Sequence, residues 1–205
     1  MKATLHWAGI AVGVVAGLLI LGILVLYSAG RMRLNKKYEV PPEMIAIPND
    51  AESLNEGKRI FQYRGCEACH GEQLQGLIYL DNPAIGQVIT PNLTSGQGGI
   101  GAQRTDKDLI RAIKHGIRPD GTPLLFMPST EFYFLSNTDL GKVLAYIRKV
   151  PPVKNEMQPS KLSFSGFAVM NVMKDITFLP AELIPHDEPP PSAPEPGITA
   201  QYGEY

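Results

Sequence analysis

The stretch Cys66-Glu67-Ala68-Cys69-His70 decides how the rest of this 205-residue chain is interpreted, because it contains the chain's only two cysteines. Two thiols separated by two residues, with a histidine directly after the second, form the spacing that attaches a c-type haem. Each thiol can add to one vinyl group of the porphyrin, and the imidazole of His70 then lies under the iron as an axial ligand. The pattern predicts one covalent haem c, attached at Cys66 and Cys69.

Three other interpretations of the motif remain open, and haem attachment is favoured over each. A structural zinc site needs about four Cys or His ligands, and only His6, His115 and His186 remain to complete one. A thioredoxin-like redox pair belongs to a βαβ pattern, and no alternating strand pattern flanks Cys66. A disulfide between the two cysteines leaves His70 without a role.

Composition limits the classes of protein that this chain can represent. The length suits one ordinary domain with appendages, and the formal net charge of -1 argues against a nucleic-acid partner. With 20 glycines and 18 prolines, much of the chain must be loop. A large apolar cofactor would then fill the middle of a domain with few aliphatic side chains.

Residues 1–30 are predicted to form a transmembrane anchor. The run Ala8–Tyr27 is uncharged, and about 20 residues at 1.5 Å each span the roughly 30 Å of a hydrocarbon core. The apolar region of a signal peptide is usually only about 7 to 15 residues long, although Ser28-Ala29-Gly30 offers small residues at which a peptidase can cut. An uncleaved, single-pass anchor in the lipid bilayer is therefore the prediction.

Two rules disagree about the orientation of this anchor. Arg31, Arg33, Lys36 and Lys37 follow the span, whereas Lys2 precedes it, so the positive-inside rule predicts a cytoplasmic domain. The thioether bonds of a bacterial c-type haem are made outside the cytoplasmic membrane. We give the haem chemistry more weight, because the charge rule is a bias with exceptions. The predicted location is the cytoplasmic membrane, with the haem domain on its periplasmic or outer face.

The rest of the chain predicts an all-α fold with three main helices. Residues 31–51, with Pro41-Pro42, are expected to form a linker. A Ser or Thr followed three residues later by an acid opens each of three apolar runs with helical spacing. These pairs are Ser53 with Glu56, Thr105 with Asp108, and Ser136 with Asp139. Gly65, Gly116 and Pro151-Pro152 are expected to end the runs. The Gly/Pro/Asn-rich stretch between His70 and Arg104 is assigned to loops.

Residues 52–153 resemble a class I cytochrome c domain, of the subgroup that serves as the cytochrome subunit of membrane-bound alcohol and gluconate dehydrogenases. The matching pieces include Gly65-Cys66 to Gly71, Pro91-Asn92-Leu93-Thr94, Gly99-Ile100-Gly101, Thr105-Asp106, Met127-Pro128, Leu135-Ser136, Asp139-Leu140, Ala145-Tyr146 and Pro151-Pro152-Val153. The resemblance implies three helices around a covalent haem. It also implies that Gly57 and Phe61 of the first helix pack against the last helix near Tyr146.

The same resemblance suggests the second axial ligand. Class I cytochromes place an axial methionine in the loop between the middle and closing helices, where this chain has Met127, stiffened by Pro128. A methionine that fills a gap in the core is the alternative. His115 is interpreted as the C-terminal residue of a helix, facing its dipole. The other candidates lie outside the domain: Met44, Met157, Met170, Met173 and His186.

Arg104 is the candidate for binding a haem propionate. The family usually has a tryptophan shortly before the middle helix, whereas this chain has Ala102-Gln103-Arg104. A guanidinium can pair with a propionate carboxylate instead. A solvent-facing arginine is the alternative, because surface charges are the usual case.

A His70/Met127 pair leaves no open iron position for a small molecule, so the site is predicted to move single electrons and not to be an enzyme's active site. We expect an electron-transfer subunit of a quinol-oxidising respiratory or photosynthetic complex, resembling the monohaem cytochrome subunit of alternative complex III. The partners would be other subunits and redox proteins. The alternative is the electron-accepting cytochrome subunit of a periplasmic alcohol or sugar dehydrogenase. A haem-based sensor or a structural subunit is the alternative of another class.

Residues 154–205 are predicted to be a partner-docking or linker tail. Phe164, Phe167, Ile176 and neighbouring apolar residues, between Lys161 and Pro180, are expected to pack on a partner or on the membrane surface, with the chain's own domain as the alternative. Asp187–Pro196 is a proline-rich, extended arm. The last six residues, Ala200–Tyr205, resemble the start of a second cytochrome helix. A continuation into a second haem domain therefore remains open.

Overall fold

The computed structural model describes residues 2–41, 43–173, 177–190, 192–195 and 197–205. Seven positions of the predicted segments lie outside the described residues: Met1 of the anchor, Pro42 of the linker, Lys174, Asp175 and Ile176 of the apolar stretch, and Pro191 and Pro196 of the proline-rich arm.

The chain begins with a long helix, α1 (Lys2–Leu34). Its His6–Leu34 part is long and apolar enough to cross a bilayer. The helix continues past the apolar run, so the first residues of the predicted linker are helical. Asn35 ends α1 by donating its side-chain amide to the carbonyl of Arg31 at 2.9 Å. Arg31 and Arg33 in this last turn suit the negative end of the helix dipole.

Three main helices form the core of the globular part, and they confirm the predicted fold class. These are α2 (Ala51–Tyr63), α4 (Asp106–His115) and α6 (Asn137–Lys149). Helices α2 and α6 approach so closely that a Cβ on Gly57 would lie 2.0 Å from the carbonyl oxygen of Lys142. Beside this contact the rings of Phe61 and Tyr146 meet edge to face, with centroids 5.5 Å apart. The packing that the resemblance implied for Gly57 and Phe61 is present.

The helix caps agree with the predicted capping boxes in two cases. Thr105 and Asp108 form the full reciprocal box of α4. The Ser136 hydroxyl accepts from the Asp139 N–H at 3.0 Å and so caps α6. The box predicted at Ser53 is wrong, because α2 begins earlier, capped by the carboxylate of Asp50, which accepts from the Ser53 N–H at 2.9 Å. Asp50 provides the same side-chain acceptor one turn upstream.

The stretch between His70 and Arg104 is not all loop as predicted. It contains two antiparallel strands, β1 (Ile78–Asn82) and β2 (Gly86–Ile89). The turn forms because the Asn82 side-chain oxygen accepts from the backbone of Ala84 at 2.8 Å and of Ile85 at 3.3 Å. Two further short helices complete this half of the chain: α3 (Cys66–His70) and α5 (Ser129–Phe132).

The described part of residues 35–50 is a strap packed on the domain. The Tyr38 N–H donates to the carbonyl of Gly121 at 3.0 Å. The ammonium of Lys114, only 2% exposed, bonds the carboxylate of Glu43 at 2.9 Å and the amide oxygen of Asn137 at 2.7 Å. A buried lysine needs such partners. The strap is therefore bonded to α4 through Lys114, which in turn bonds α6 through Asn137.

The described parts of the tail pack against the chain itself, which was the alternative placement for its apolar stretch. Strand β3 (Lys161–Leu162) extends the hairpin beside β2, and α7 (Phe164–Val172) packs on α1. Phe178, Leu179 and Ala181 are buried against the domain. A short 3₁₀ turn (Pro180–Glu182) follows, and the final helix is α8 (Ala200–Glu204). The described tail is therefore not a free linker, while docking to a partner stays a prediction.

Candidate haem site

The cysteine motif is presented by a sharp turn between two helices. Helix α2 ends at Tyr63, and Gly65, with φ of 74°, lies in the left-handed region that favours glycine. This reversal allows α3 to start at once, so Cys66 and His70 lie on a single short helix. The helix is closed by the Gly71 N–H, which donates to the carbonyl of Glu67 at 2.8 Å. The motif is thus positioned by residues next to it in sequence.

The imidazole of His70 is oriented by the backbone of a distant loop. Its Nδ1 lies 3.3 Å from the carbonyl oxygen of Pro91. A carbonyl only accepts, so Nδ1 carries the proton and Nε2 keeps its lone pair for a metal. Burial lowers the pKa of His70 and favours this neutral form. The loop is tied to the motif, because the Thr90 hydroxyl donates to the carbonyl of Cys69 at 2.6 Å.

The two cysteines form no disulfide with each other, and both are half-buried. Burial raises the pKa of Cys66 to about 12 and also raises the pKa of Cys69. A reactive redox pair needs a lowered thiol pKa, so this environment argues against the thioredoxin-like interpretation. Within the described ranges, no group of three or more His, Cys, Asp or Glu side chains is placed to hold a metal ion. The cysteines therefore lack the further donors of a structural zinc site.

A cavity opens beside the motif, between the three main helices. Its wall is almost wholly apolar. The lining residues are Ile60, Phe61, Arg64, Cys66, His70, Leu93, Ile113, Met127, Phe132, Leu135, Val143 and Ile147. Leu93 belongs to the matched stretch Pro91–Thr94, which the buried Asn92 fixes by donating to the carbonyl of Val153 at 2.8 Å. An apolar wall with a thiol, an imidazole and a thioether suits a porphyrin and its iron.

Met127, the predicted second ligand, lines the same cavity as His70. It lies in a tightly turned loop before α5. Its N–H donates to the carbonyl of Leu125 at 2.8 Å, and its carbonyl accepts from the Ser129 N–H at 2.7 Å. The preceding Phe126 has φ of 57°, and its N–H donates to the carbonyl of Phe178 at 3.0 Å. The tail therefore supports the loop that carries Met127.

Arg64, which sequence reasoning missed, lines the cavity, whereas Arg104 does not. The Nε of Arg64 is buried without a hydrogen-bond partner among the described residues. A buried N–H without an acceptor costs free energy, so an anionic group such as a haem propionate fits this position. The carbonyl of Arg104 accepts from Arg148 at 2.7 Å. Its position in the sequence could have identified Arg64 as a candidate, because Arg64 lies two residues before Cys66 of the haem motif.

His115 and His186, the remaining ligand candidates apart from the methionines, lie outside the cavity lining. Their Nδ1 atoms are 3.1 Å apart, while Nε2 of His186 lies 2.9 Å from the carbonyl oxygen of Ala181. His115 does end α4, before Gly116 with φ of 65°. The pair joins the tail to the end of α4, so its role in the fold is a contact between segments.

Three helices, a cysteine pair followed by histidine, and an apolar cavity with a facing methionine loop define a c-type cytochrome domain. The comparison with known families agrees: residues 54–151 match the family described as cytochrome c. That matched stretch, just under half of the chain, is similar to cytochrome c. The family implies a covalently bound haem c, and the donors and the unpaired Arg64 N–H described above fit such a group.

The chain is also similar to cytochrome subunits of dehydrogenases among curated proteins. The chain is 32% identical over 132 residues to the fructose dehydrogenase cytochrome subunit of Gluconobacter japonicus, covering 60% of this chain and 27% of that protein. It is 31% identical over 125 residues to the cytochrome c subunit of alcohol dehydrogenase (quinone) of Gluconacetobacter polyoxogenes, covering 57% of this chain and 26% of that protein. The Gluconobacter oxydans (strain 621H) counterpart is 30% identical over 122 residues, covering 56% and 25%. The chain thus spans about a quarter of the length of these relatives.

Proposed function

We propose that this chain transfers single electrons through one haem c, covalently attached at Cys66 and Cys69 and ligated by His70 and Met127. One observation carries the proposal. His70, with Nδ1 engaged by Pro91, and Met127 line the same apolar cavity beside Cys66. When bound, the haem supplies a one-electron iron couple, and a histidine–methionine pair leaves its iron without an open position.

The residues of the chain serve electron transfer in three ways. The Pro91 carbonyl holds the His70 tautomer, which keeps Nε2 available as a donor. The turned loop before α5 presents the Met127 thioether, a ligand that raises the reduction potential. The apolar lining excludes water from the site, which also favours the less charged, reduced state. Among the described residues, nothing else in this cavity provides a general acid, a base or a nucleophile for chemistry on a substrate.

The host that we propose is a membrane-bound dehydrogenase for alcohols or sugars. Support comes from the relatives, which are cytochrome subunits of fructose and alcohol dehydrogenases. They favour this host over the quinol-oxidising complex that the sequence alone suggested. In this proposal the partners are the dehydrogenase subunits, α1 anchors the chain in the cytoplasmic membrane, and the haem domain lies on its outer face.

Two of the cations that follow the apolar run of α1, and that conflict with an outer-face domain under the positive-inside rule, have partners within the folded chain. The Arg33 guanidinium donates to Glu182 at 2.9 and 2.6 Å and to the carbonyl of Met170 at 2.8 Å. Lys37 donates to the carbonyl of Asp120 at 2.6 Å. Arg33 therefore stabilises a contact with the tail and Lys37 one with the domain, which gives both cations a function other than retention in the cytoplasm. This supports the outer-face location.

Substrate-driven reduction of the haem in the native complex tests the proposed host. The complex is isolated in mild detergent through a tag on this chain, stripped of quinol, and mixed with alcohols, sugars or a quinol analogue. We expect one of the alcohols or sugars to reduce the haem, seen as growth of its reduced absorption bands. The control is the same complex carrying the Met127→Ala variant, in which the haem spectrum changes but the dehydrogenase still reduces an artificial dye.

Two outcomes would contradict parts of the proposal. Reduction by the quinol analogue alone, with a multihaem subunit among the co-purified chains, would overturn the dehydrogenase host. A haem that binds carbon monoxide readily in its reduced form would show an open iron position. That result would overturn the His70/Met127 ligation and favour a sensor.

A further inference from the structure

Helix α7 packs against α1 at the end of its apolar run. At one end of α7 the Phe164 ring stacks on the Tyr27 ring, with centroids 4.8 Å apart. Near the other end the Asn171 side chain donates to the carbonyl of Leu26 at 2.8 Å. Asn171 also accepts from the Arg33 guanidinium at 3.0 Å, so α7 packs against the stretch of α1 from Leu26 to Arg33.

The contact itself is tightly packed. A Cβ on Gly30 would lie 2.5 Å from the carbonyl oxygen of Phe167. The Phe167 ring meets Tyr27 edge to face at 5.1 Å, and the Arg31 guanidinium lies 5.6 Å from the centre of the same ring. Only a residue without a side chain allows two helices to approach this closely. The position of α7 relative to α1 is thus fixed by contacts on both helices.

Aromatic residues mark the depth of this contact in a membrane. Trp7 and Tyr27 flank the apolar run of α1, about 30 Å apart at 1.5 Å per residue, which matches the thickness of the hydrocarbon core. Tryptophan and tyrosine are enriched at the two membrane–water interfaces. Tyr27 therefore marks the interface on the side of the cytochrome domain, and α7 packs against α1 at that level.

The outer surface of α7 has the chemistry of a lipid-facing surface. The helix contains no charged residue. Phe164 is 52% exposed, Val172 65% and the adjoining Met173 45%, although the rest of the segment is packed. Exposed large apolar side chains grouped on an ordered segment mark an interaction site. Arg31 and Lys36 are exposed at the end of α1, where cations meet anionic headgroups.

We propose that α7 is an interfacial membrane helix, held by α1 at the bilayer surface with Phe164, Val172 and Met173 among the outer parts of the acyl chains. Lipid is the occupant because this surface continues the exposed apolar run of α1 at the interface level. The inference rests on the proposed membrane crossing by α1. It adds a second membrane contact, which fixes the cytochrome domain against the bilayer.

Photo-crosslinking in native membranes tests the proposal. The full-length holoprotein carries p-benzoylphenylalanine in place of Val172, and the products formed on irradiation are analysed by intact mass. We expect a product heavier by one phospholipid, in severalfold excess over the same probe in place of Phe134. Phe134 is a matched control, because it is 48% exposed but lies on the cytochrome domain. A probe in place of Leu19, within the apolar run of α1, reports the crossing itself.

The outcomes separate the inference from the proposal on which it rests. A product between position 172 and another polypeptide would show a partner protein on this surface and overturn the lipid assignment. No lipid product at position 172, with lipid products at position 19, would overturn it as well while leaving the anchor intact. If position 19 also yields no lipid product, the membrane crossing and the inference both fail.

Discussion

The two walls of the haem cavity are built differently. The wall that carries Cys66 and His70 forms from a continuous stretch, in which α2, the turn at Gly65 and α3 follow one another. The wall that carries Met127 depends on Phe178, which lies beyond the 54–151 stretch that matches the cytochrome c family. The comparison suggests that haem attachment is a local property of the domain, whereas methionine ligation also depends on the tail.

Removing both thiols should have the largest effect. In the Cys66→Ala/Cys69→Ala double variant no thioether bond can form, so we expect complete loss of covalently bound haem, measured by haem staining after denaturing electrophoresis. Met127→Ala is the matched control, because it alters the opposite wall and should retain the covalent haem. Staining of the double variant at the level of the control would refute attachment at this motif.

Met127→Ala should lower the reduction potential, on the order of 100 to 200 mV, because a thioether ligand stabilises reduced iron. The sulfur–iron absorption band at the red end of the visible spectrum should disappear. A redox titration followed by absorbance measures both effects. Met44→Ala serves as the control, since Met44 is 78% exposed and does not line the cavity. An intact band in Met127→Ala would identify another ligand.

Phe178→Ala separates the two walls most directly. The ring is 2% exposed and lies 4.8 Å from the ring of Phe126, so its removal should cost about 3 kcal/mol of stability. We expect the sulfur–iron band to be lost at a lower urea concentration than in the unmodified protein, with covalent haem unchanged. Phe164→Ala, in the same tail but 52% exposed, should leave the band's urea midpoint nearly unchanged. Equal shifts in both variants would remove the proposed link between Phe178 and Met127.

The pair formed by His115 and His186 should make the free energy of unfolding depend on pH. Burial and the neighbouring His186 lower the pKa of His115 to about 4 from its ordinary 6.5, and burial also lowers the pKa of His186. The charge of Glu43 raises the pKa of His115, whereas the charge of Lys114 lowers it further. Because the folded state binds fewer protons, its stability is complete above pH 6.5 and falls as the pH drops towards 4.

Urea unfolding at several pH values measures this effect. The slope should reach at most about 1.4 kcal/mol per pH unit for each histidine. A His115→Gln/His186→Gln variant should lose most of the slope, whereas His6→Gln, on exposed α1, should keep it. A slope unchanged in the double variant would assign the pH dependence to other groups.

Arg64→Gln should produce the smallest effect. Removal of a cation at the cavity wall favours the oxidised haem, and a change of about 1 kcal/mol corresponds to a potential roughly 40 mV lower. Arg104→Gln is the control variant, because Arg104 is the propionate partner that the sequence predicts. We expect little change there. A larger shift in Arg104→Gln would restore the original assignment of the propionate partner.

Short sequence patterns were sufficient to predict the three main helices. They were also sufficient to predict that Cys66 and His70 lie together on one wall of the site. The Thr105 box and the apolar spacing of α6 act within a few residues, so they can be identified without tertiary structure. The cap of α2 was misassigned because Ser53 satisfies the same pattern as the true cap, Asp50. The β1–β2 hairpin was missed because its strands are short and Pro83 interrupts the pattern.

The features that sequence reasoning missed arise from distant contacts. Arg64 appears in the sequence as an ordinary surface arginine, and only the fold shows its unpaired Nε at the cavity. The support of Met127 by Phe178 joins residues about fifty positions apart. The placement of α7 on α1 depends on Gly30, which appeared in the sequence to belong to a possible cleavage site. No local pattern reports such pairings.

The bidentate bond between Arg33 and Glu182 changes how the anchor acts on encounters with other proteins. A flexible linker would let the domain rotate freely relative to the membrane. Each binding event with a partner would then cost the rotational entropy of fixing one orientation. Because α1 runs without a break to Leu34 and is bonded there to the tail, which packs on the domain, that choice is made during folding. An electron donor then meets a preorganised target with a single presentation.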